Sequence, residues 1–125
     1  MIHGKCLCGA VRFSGRALRS KVVLCHCGQC RRWSGHIWAS VPVEGLAIED
    51  ETALRWFRSS DCAVRGFCGE CGSSLFWRMD GRVSVAVAAG CLASTTGLHA
   101  AEHIYVADKG DYYDIADGLP QEAQG

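Results

Sequence analysis

Three groups of cysteines set the chemistry open to this chain. Cys25, Cys27 and Cys30 fall within six residues in a C-x-C-x-x-C spacing, with Cys6 and Cys8 before them and Cys68 and Cys71 after. Seven of the nine cysteines therefore stand in motif-like groups. Thiolate sulfur is a zinc ligand, and aiming two nearby sulfurs at one ion requires a sharp chain turn. A glycine follows each group, in Cys8-Gly9, Cys27-Gly28 and Cys71-Gly72. Glycine tolerates the positive φ such turns use, and the backbone N–H groups there can donate to sulfur. Four thiolates close a structural zinc site, whereas three leave a position for water or substrate, as in a catalytic site. Pairing Cys6 and Cys8 with Cys68 and Cys71 uses two turns of two ligands each. Cys25, Cys27 and Cys30 then form a second zinc site with one open position. Two alternatives stand beside that second site. His26, His36 or a distant residue closes it, or only two of its thiols bind metal and the third is reactive.

The neighbours of the central group have roles to match. Three thiolates on zinc carry a net charge of about −1, which Arg31 and Arg32 could offset; they could also bind substrate carboxylates. His26 and His36 are candidates for substrate binding or proton transfer, set against a plain structural role for each. Trp33 and Trp38 flank the group and could wall a pocket, while Trp56 and Trp77 read as sheet packing. Cys62 and Cys91 fit no pair and read as small buried hydrophobes. His99 and His103 read as structural. Asp108, Asp111, Asp114 and Asp117 lack calcium-loop spacing and read as a solvated face.

The chain's size and charge narrow the partners. Its 125 residues suit one domain, 1–125, and 49% hydrophobic content is enough for a sizeable core. Zero formal net charge argues against nucleic-acid or membrane-surface binding, which needs a basic excess. No apolar run approaches the roughly 18 residues of a membrane span, and the first residues lack the apolar core of a signal peptide. The expected compartment is the cytoplasm, where thiols stay reduced and clustered cysteines read as metal ligands rather than disulfides.

The elements that must position these groups read as short strands. Candidates lie at 10–14, 22–24, 36–43, 46–48, 52–58, 62–68, 74–79, 82–88 and 103–106. Pro42 suggests an edge or a bulge, and Asp80-Gly81 a two-residue hairpin. Helical periodicity is nearly absent. One short turn is expected at 28–33 and another at 98–102, and the polar tail 121–125 reads as frayed. The expected class is mainly β, an antiparallel sandwich of short strands with little helix.

Three ordered motifs resemble one family. Gly4-Lys5-Cys6-Leu7-Cys8-Gly9 is similar to its opening turn. Cys25-His26-Cys27-Gly28-Gln29-Cys30-Arg31-Arg32-Trp33-Ser34-Gly35 is similar to its central C-H-C-x-x-C-R motif. Arg65-Gly66-Phe67-Cys68-Gly69-Glu70-Cys71-Gly72-Ser73-Ser74-Leu75-Phe76 is similar to its F-C-x-x-C-G-S-x-L motif. The family is that of the glutathione-dependent formaldehyde-activating enzymes, which includes centromere protein V. The resemblance implies a β-tent fold, clamped by a structural zinc on Cys6, Cys8, Cys68 and Cys71. It implies a second zinc, which could be labile, on Cys25, Cys27 and Cys30 as the reaction site. The implied activity is that of a carbon–sulfur lyase resembling S-(hydroxymethyl)glutathione synthase, acting on glutathione or another small thiol and its aldehyde adduct. A non-catalytic, zinc-stabilised binding module is the alternative. His36, and the absence of an acidic residue and a proline after Gly90-Cys91, depart from the family pattern without touching the cysteines.

Overall fold

The computed structural model describes residues 1–125. It contains nine strands: β1 (Ile2–Lys5), β2 (Arg12–Ala17), β3 (Lys21–Cys25), β4 (Trp38–Ile48), β5 (Leu54–Arg58), β6 (Ala63–Cys68), β7 (Ser74–Met79), β8 (Val85–Ala88) and β9 (His99–Ile104). One α-helix, α1 (Gly28–Ser34), links β3 to β4. The sheet order is β1-β2-β4-β8-β7-β6-β5, and β3 pairs with both β4 and β9. Every pairing is antiparallel except β3 with β9. The mainly β, helix-poor class expected from the sequence is the one observed.

This sheet is bent back on itself. β2 and β7 are three strand spacings apart in the order, about 14 Å in a flat sheet. Yet Phe13 of β2 and Phe76 of β7 meet edge to face with ring centroids 5.0 Å apart. The main core gathers between the approaching halves and includes Val11, Phe13, Val41, Val43, Leu75 and Phe76, all fully or almost fully buried. β2 alternates buried and exposed residues and so has one face to bury, whereas β6 and β8 are buried along nearly their whole length.

Four local readings change. Pro42 lies in the central strand β4, paired with Ala86 of β8, rather than on an edge. It is tolerated because it sits where one neighbour hands over to another: β3 pairs as far as Ser40, and β2 begins opposite Val43. Its carbonyl accepts the Leu18 N–H on that side, so the N–H that proline lacks would face the handover. Asp80-Gly81 does turn, with Gly81 at φ +79°. However, strand pairing resumes only at Trp77 with Ala86, so the connection is a longer loop. Residues 98–102 lie mostly in β9 instead of a helical turn, because His99 to Ile104 align in parallel with β3. The tail is also not frayed: Tyr105, Val106 and Ala107 donate to the carbonyls of Gln124, Glu122 and Ala123.

Candidate metal centre and the cavity beside it

The four sulfurs of Cys6, Cys8, Cys68 and Cys71 lie within 4.8 Å of one another. Cys6 and Cys8 sulfurs are 3.6 Å apart and those of Cys8 and Cys68 3.8 Å. Four thiolates about 2.3 Å from one tetrahedral ion would stand about 3.8 Å from each other, so the donor set fits a metal ion. Two of the three glycines act as expected, Gly9 and Gly72 adopting φ +82° and +81°, whereas Gly28 opens α1 without a positive φ. The Val11 N–H donates to Cys6 Sγ at 3.3 Å. Ser73 joins the two turns, its hydroxyl accepting the Leu7 N–H at 2.9 Å and lying 3.2 Å from Cys71 Sγ. That hydroxyl and the Ser73 backbone bring the Cys71 thiol down to about 5. β1 and β6 are five strand spacings apart in sheet order, so this group of sulfurs stitches together distant parts of the bent sheet.

Cys25, Cys27 and Cys30 form the second group, also within 4.8 Å of one another. Cys25 ends β3, Cys27 is the extended N-cap of α1, and Cys30 lies in the helix's first turn. The Cys27 sulfur accepts the Cys30 N–H at 3.3 Å, so the capping bond also points that sulfur toward its neighbours. Cys25 and Cys30 are buried and Cys27 is half-buried. Three thiols this close compete for one negative charge. Hydrogen bonds from Cys25 and Cys30 pull the Cys27 thiol down to about 2, and the bond with Cys27 pushes Cys25 up. A cation would let all three ionise, so this donor set also fits a metal ion.

His26 faces away from the sulfurs. Just past the end of β3, it turns its ring to the opposite side, where it is fully buried. Its Nε2 is 2.8 Å from His103 Nδ1, its Nδ1 is 2.6 Å from the Tyr113 hydroxyl, and His103 Nε2 is 2.8 Å from Asp117. Asp117 is held below the usual carboxylate range by the Leu119 N–H and by His103. As a carboxylate it accepts from His103 Nε2–H; His103 Nδ1 then accepts from His26 Nε2–H, and His26 Nδ1 accepts the Tyr113 O–H. Burial and the neighbouring His103 keep His26 below its ordinary value, in keeping with a neutral ring. Asp117 thus belongs to a buried hydrogen-bond chain rather than a merely solvated face. Replacing Tyr113 with Phe leaves a buried ring nitrogen without a donor and is expected to cost about 1–3 kcal/mol of stability in urea unfolding.

A cavity of about 750 Å³ opens beside the second group, with Cys25, Cys27 and Cys30 in its wall. Arg19, Arg32 and Arg65 supply positive charge there, and Trp38, Trp77 and Met79 supply apolar surface. Asp108 is the one carboxylate in its lining. Of the sequence candidates, Arg32 reaches this cavity, but His26, Arg31 and His36 do not. Arg31 instead donates to the Asp108 carbonyl, and exposed His36 bonds the Tyr112 hydroxyl. Trp38 walls the cavity as expected, while Trp33 lines a smaller one, about 520 Å³, that also reaches Cys71 and Cys91. Cys62 is exposed on the larger cavity's lining instead of buried, and Cys91 is half-buried.

Sequence spacing missed Arg65. It is 5% exposed within β6, its Nη1 and Nη2 lie 3.7 and 3.8 Å from Cys30 Sγ, and Nε and Nη2 donate to Gln29 Oε1. No metal-ligand spacing includes an arginine three residues before a cysteine pair. Its signals were a charge inside an otherwise apolar strand and its place at the head of the stretch that resembles the family's third motif.

The chain is similar to known proteins. An uncharacterized lyase of Schizosaccharomyces pombe is 27% identical over 117 residues, covering 92% of this chain and 85% of the relative. A crystal structure of a Rhodobacter sphaeroides protein superposes with a TM-score of 0.64 at 23% identity, covering 75% of this chain and 90% of that one, a likeness of fold. The family model described as glutathione-dependent formaldehyde-activating enzyme matches residues 1–108, through both cysteine groups and the cavity-lining strands. The chain belongs to that family.

Proposed function

We propose that this single domain, residues 1–125, is a zinc-dependent carbon–sulfur lyase of the cytoplasm. It joins a small thiol such as glutathione to an aldehyde such as formaldehyde, and separates the adduct in reverse. In this reading Cys6, Cys8, Cys68 and Cys71 hold a structural zinc, while Cys25, Cys27 and Cys30 hold the zinc at the reaction site. The observation that carries it is the contrast between the two groups: four sulfurs complete a tetrahedral set, whereas three fall one ligand short and lie in the wall of a cavity.

A zinc ion there supplies Lewis acidity and favours a bound thiol as its thiolate near neutral pH. The chain's own residues do the rest. Arg19 and Arg32 offer guanidinium forks to substrate carboxylates. Trp38, Trp77 and Met79 cover the apolar part of the substrate and limit the water around it. In the forward direction the thiol sulfur forms a bond to the carbonyl carbon, the carbonyl π pair moves to oxygen, and the thiol proton ends on that oxygen. His26 and His36 lie outside the cavity lining, so neither takes that proton directly. His26 acts instead by fixing the backbone between Cys25 and Cys27.

Cys27→Ser tests the reading. The variant is expected to keep the wild-type circular dichroism spectrum and to lose one of two zincs per chain. Its rate of thiol–aldehyde exchange, followed by NMR with glutathione and formaldehyde, is expected to fall by more than the roughly 10–100-fold that loss of an outer partner brings. Wild-type exchange in a folded Cys27→Ser variant would remove the three-cysteine group from the chemistry. One zinc per wild-type chain would favour a zinc-stabilised binding module.

A further inference from the structure

We infer that Arg65 is the built-in counter-ion of the three-cysteine centre, a positioning residue that holds Cys30 and makes room for a second anion beside it. The inference rests on the reading above, that Cys25, Cys27 and Cys30 hold zinc.

Arg65 is 5% exposed, and no carboxylate forms an ion pair with it; the chain's ion pairs are Arg16 with Glu44 and Arg58 with Asp80. A guanidinium remains protonated in proteins, and a charge removed from water requires compensation. The acceptors within reach are the Gln29 side-chain oxygen, which is neutral, and Cys30 Sγ. The Trp33 ring lies 5.0 Å beneath the guanidinium and favours a cation there without supplying net charge. Gln29 and Trp33 therefore orient the fork, and the sulfur centre is the anion it faces.

Three thiolates on one zinc leave a net charge of about −1, and a thiolate substrate in the open position would raise that to about −2. Arg65 offsets one of these charges from a buried position, where salt screens it little. Exposed Arg19 and Arg32 are free to bind the remote end of a substrate. Both Arg65 contacts fall on Cys30 and neither on Cys25 or Cys27, so it holds one ligand of the three specifically.

Zinc affinity measured by chelator competition provides the test, because it is independent of turnover. The binding step absent in Cys27→Ser identifies the three-cysteine centre, and the remaining step is an internal reference. In the neutral variants Arg65→Met and Arg65→Gln that centre's affinity is expected to fall by about 10–100-fold, with the four-cysteine step unchanged. Arg65→Lys, which restores the charge without the fork, is expected to recover part of the loss. Wild-type affinity in either neutral variant, or Arg65→Lys binding no better than Arg65→Gln, would overturn the counter-ion role. A wild-type protein with no second binding step would sink the zinc reading and this inference together.

Discussion

Replacing Cys68 with alanine is expected to unfold the protein. Cys68 is fully buried at the end of β6, and its sulfur belongs to the group that joins residues near β1 to residues between β6 and β7. Structural zinc contributes roughly 10–16 kcal/mol in small zinc-binding peptides at neutral pH, whereas an entire domain is stable by about 5–15 kcal/mol. With zinc in that group, as proposed above, losing one of the four ligands puts at risk an energy comparable to the whole margin. It also leaves three thiols in a site without the charge that balances them. The expected result is a circular dichroism spectrum without β-sheet character, or an insoluble product, and wild-type protein stripped by a strong chelator should follow the same course. Cys62→Ala is the control: that exposed thiol belongs to neither group, and its loss should change stability by less than about 0.5 kcal/mol. A Cys68→Ala variant with wild-type thermal unfolding would mean that the hydrophobic core, not the sulfur clamp, holds the bent sheet closed.

Phe76→Ala carries the second-largest expected effect. The Phe76 ring is fully buried. It meets Phe13 edge to face across the fold and stacks at 6.0 Å on Trp56, where Arg78 covers the other aromatic partner at 4.4 Å. Truncation leaves a cavity between two halves of one bent sheet, which cannot collapse without changing the bend. A loss of about 3–5 kcal/mol is expected, or a fall of roughly 10–20 °C in Tm for a domain of this size. None of the seven grouped cysteines is touched, so metal content should remain at the wild-type value in the folded fraction. A Tm within a few degrees of wild type would show that the halves make little use of this contact.

The cysteine groups were legible because ligand spacing is local: a C-x-C or C-x-x-C beside a glycine specifies a turn on its own. Strand existence was legible for the same reason, since the alternation in β2 and the short apolar runs of β6 and β7 between turn signals need only neighbours in sequence. Pro42 was misplaced because its tolerance depends on two other strands, β3 and β2, exchanging places beside β4. The strand at His99–Ile104 was anticipated only at its end, within the candidate 103–106, because its first residues lack alternation; its partner β3 imposes the conformation. Arg65, the Tyr113–His26–His103–Asp117 chain and the ordered tail all depend on contacts between residues far apart in sequence. His26 shows the cost most plainly. Placed between two grouped cysteines it invites a catalytic reading, yet as the residue just past β3, its N–H held by the Ile104 carbonyl, it turns its ring away to the side of His103 and Tyr113.

The four-cysteine group also constrains the order in which the chain can assemble. Cys8 and Cys68 are 60 residues apart in sequence, so during synthesis from the N-terminus the first two sulfurs emerge long before their partners. The meander β5-β6-β7 pairs only near neighbours and closes with little loop entropy. It can therefore present Cys68 and Cys71 as a preformed half-site. The N-terminal half-site must then stay reduced and uncommitted until that meander arrives, so the interval between the appearance of Cys8 and that of Cys71 is the window in which oxidants or competing metal ions would divert folding.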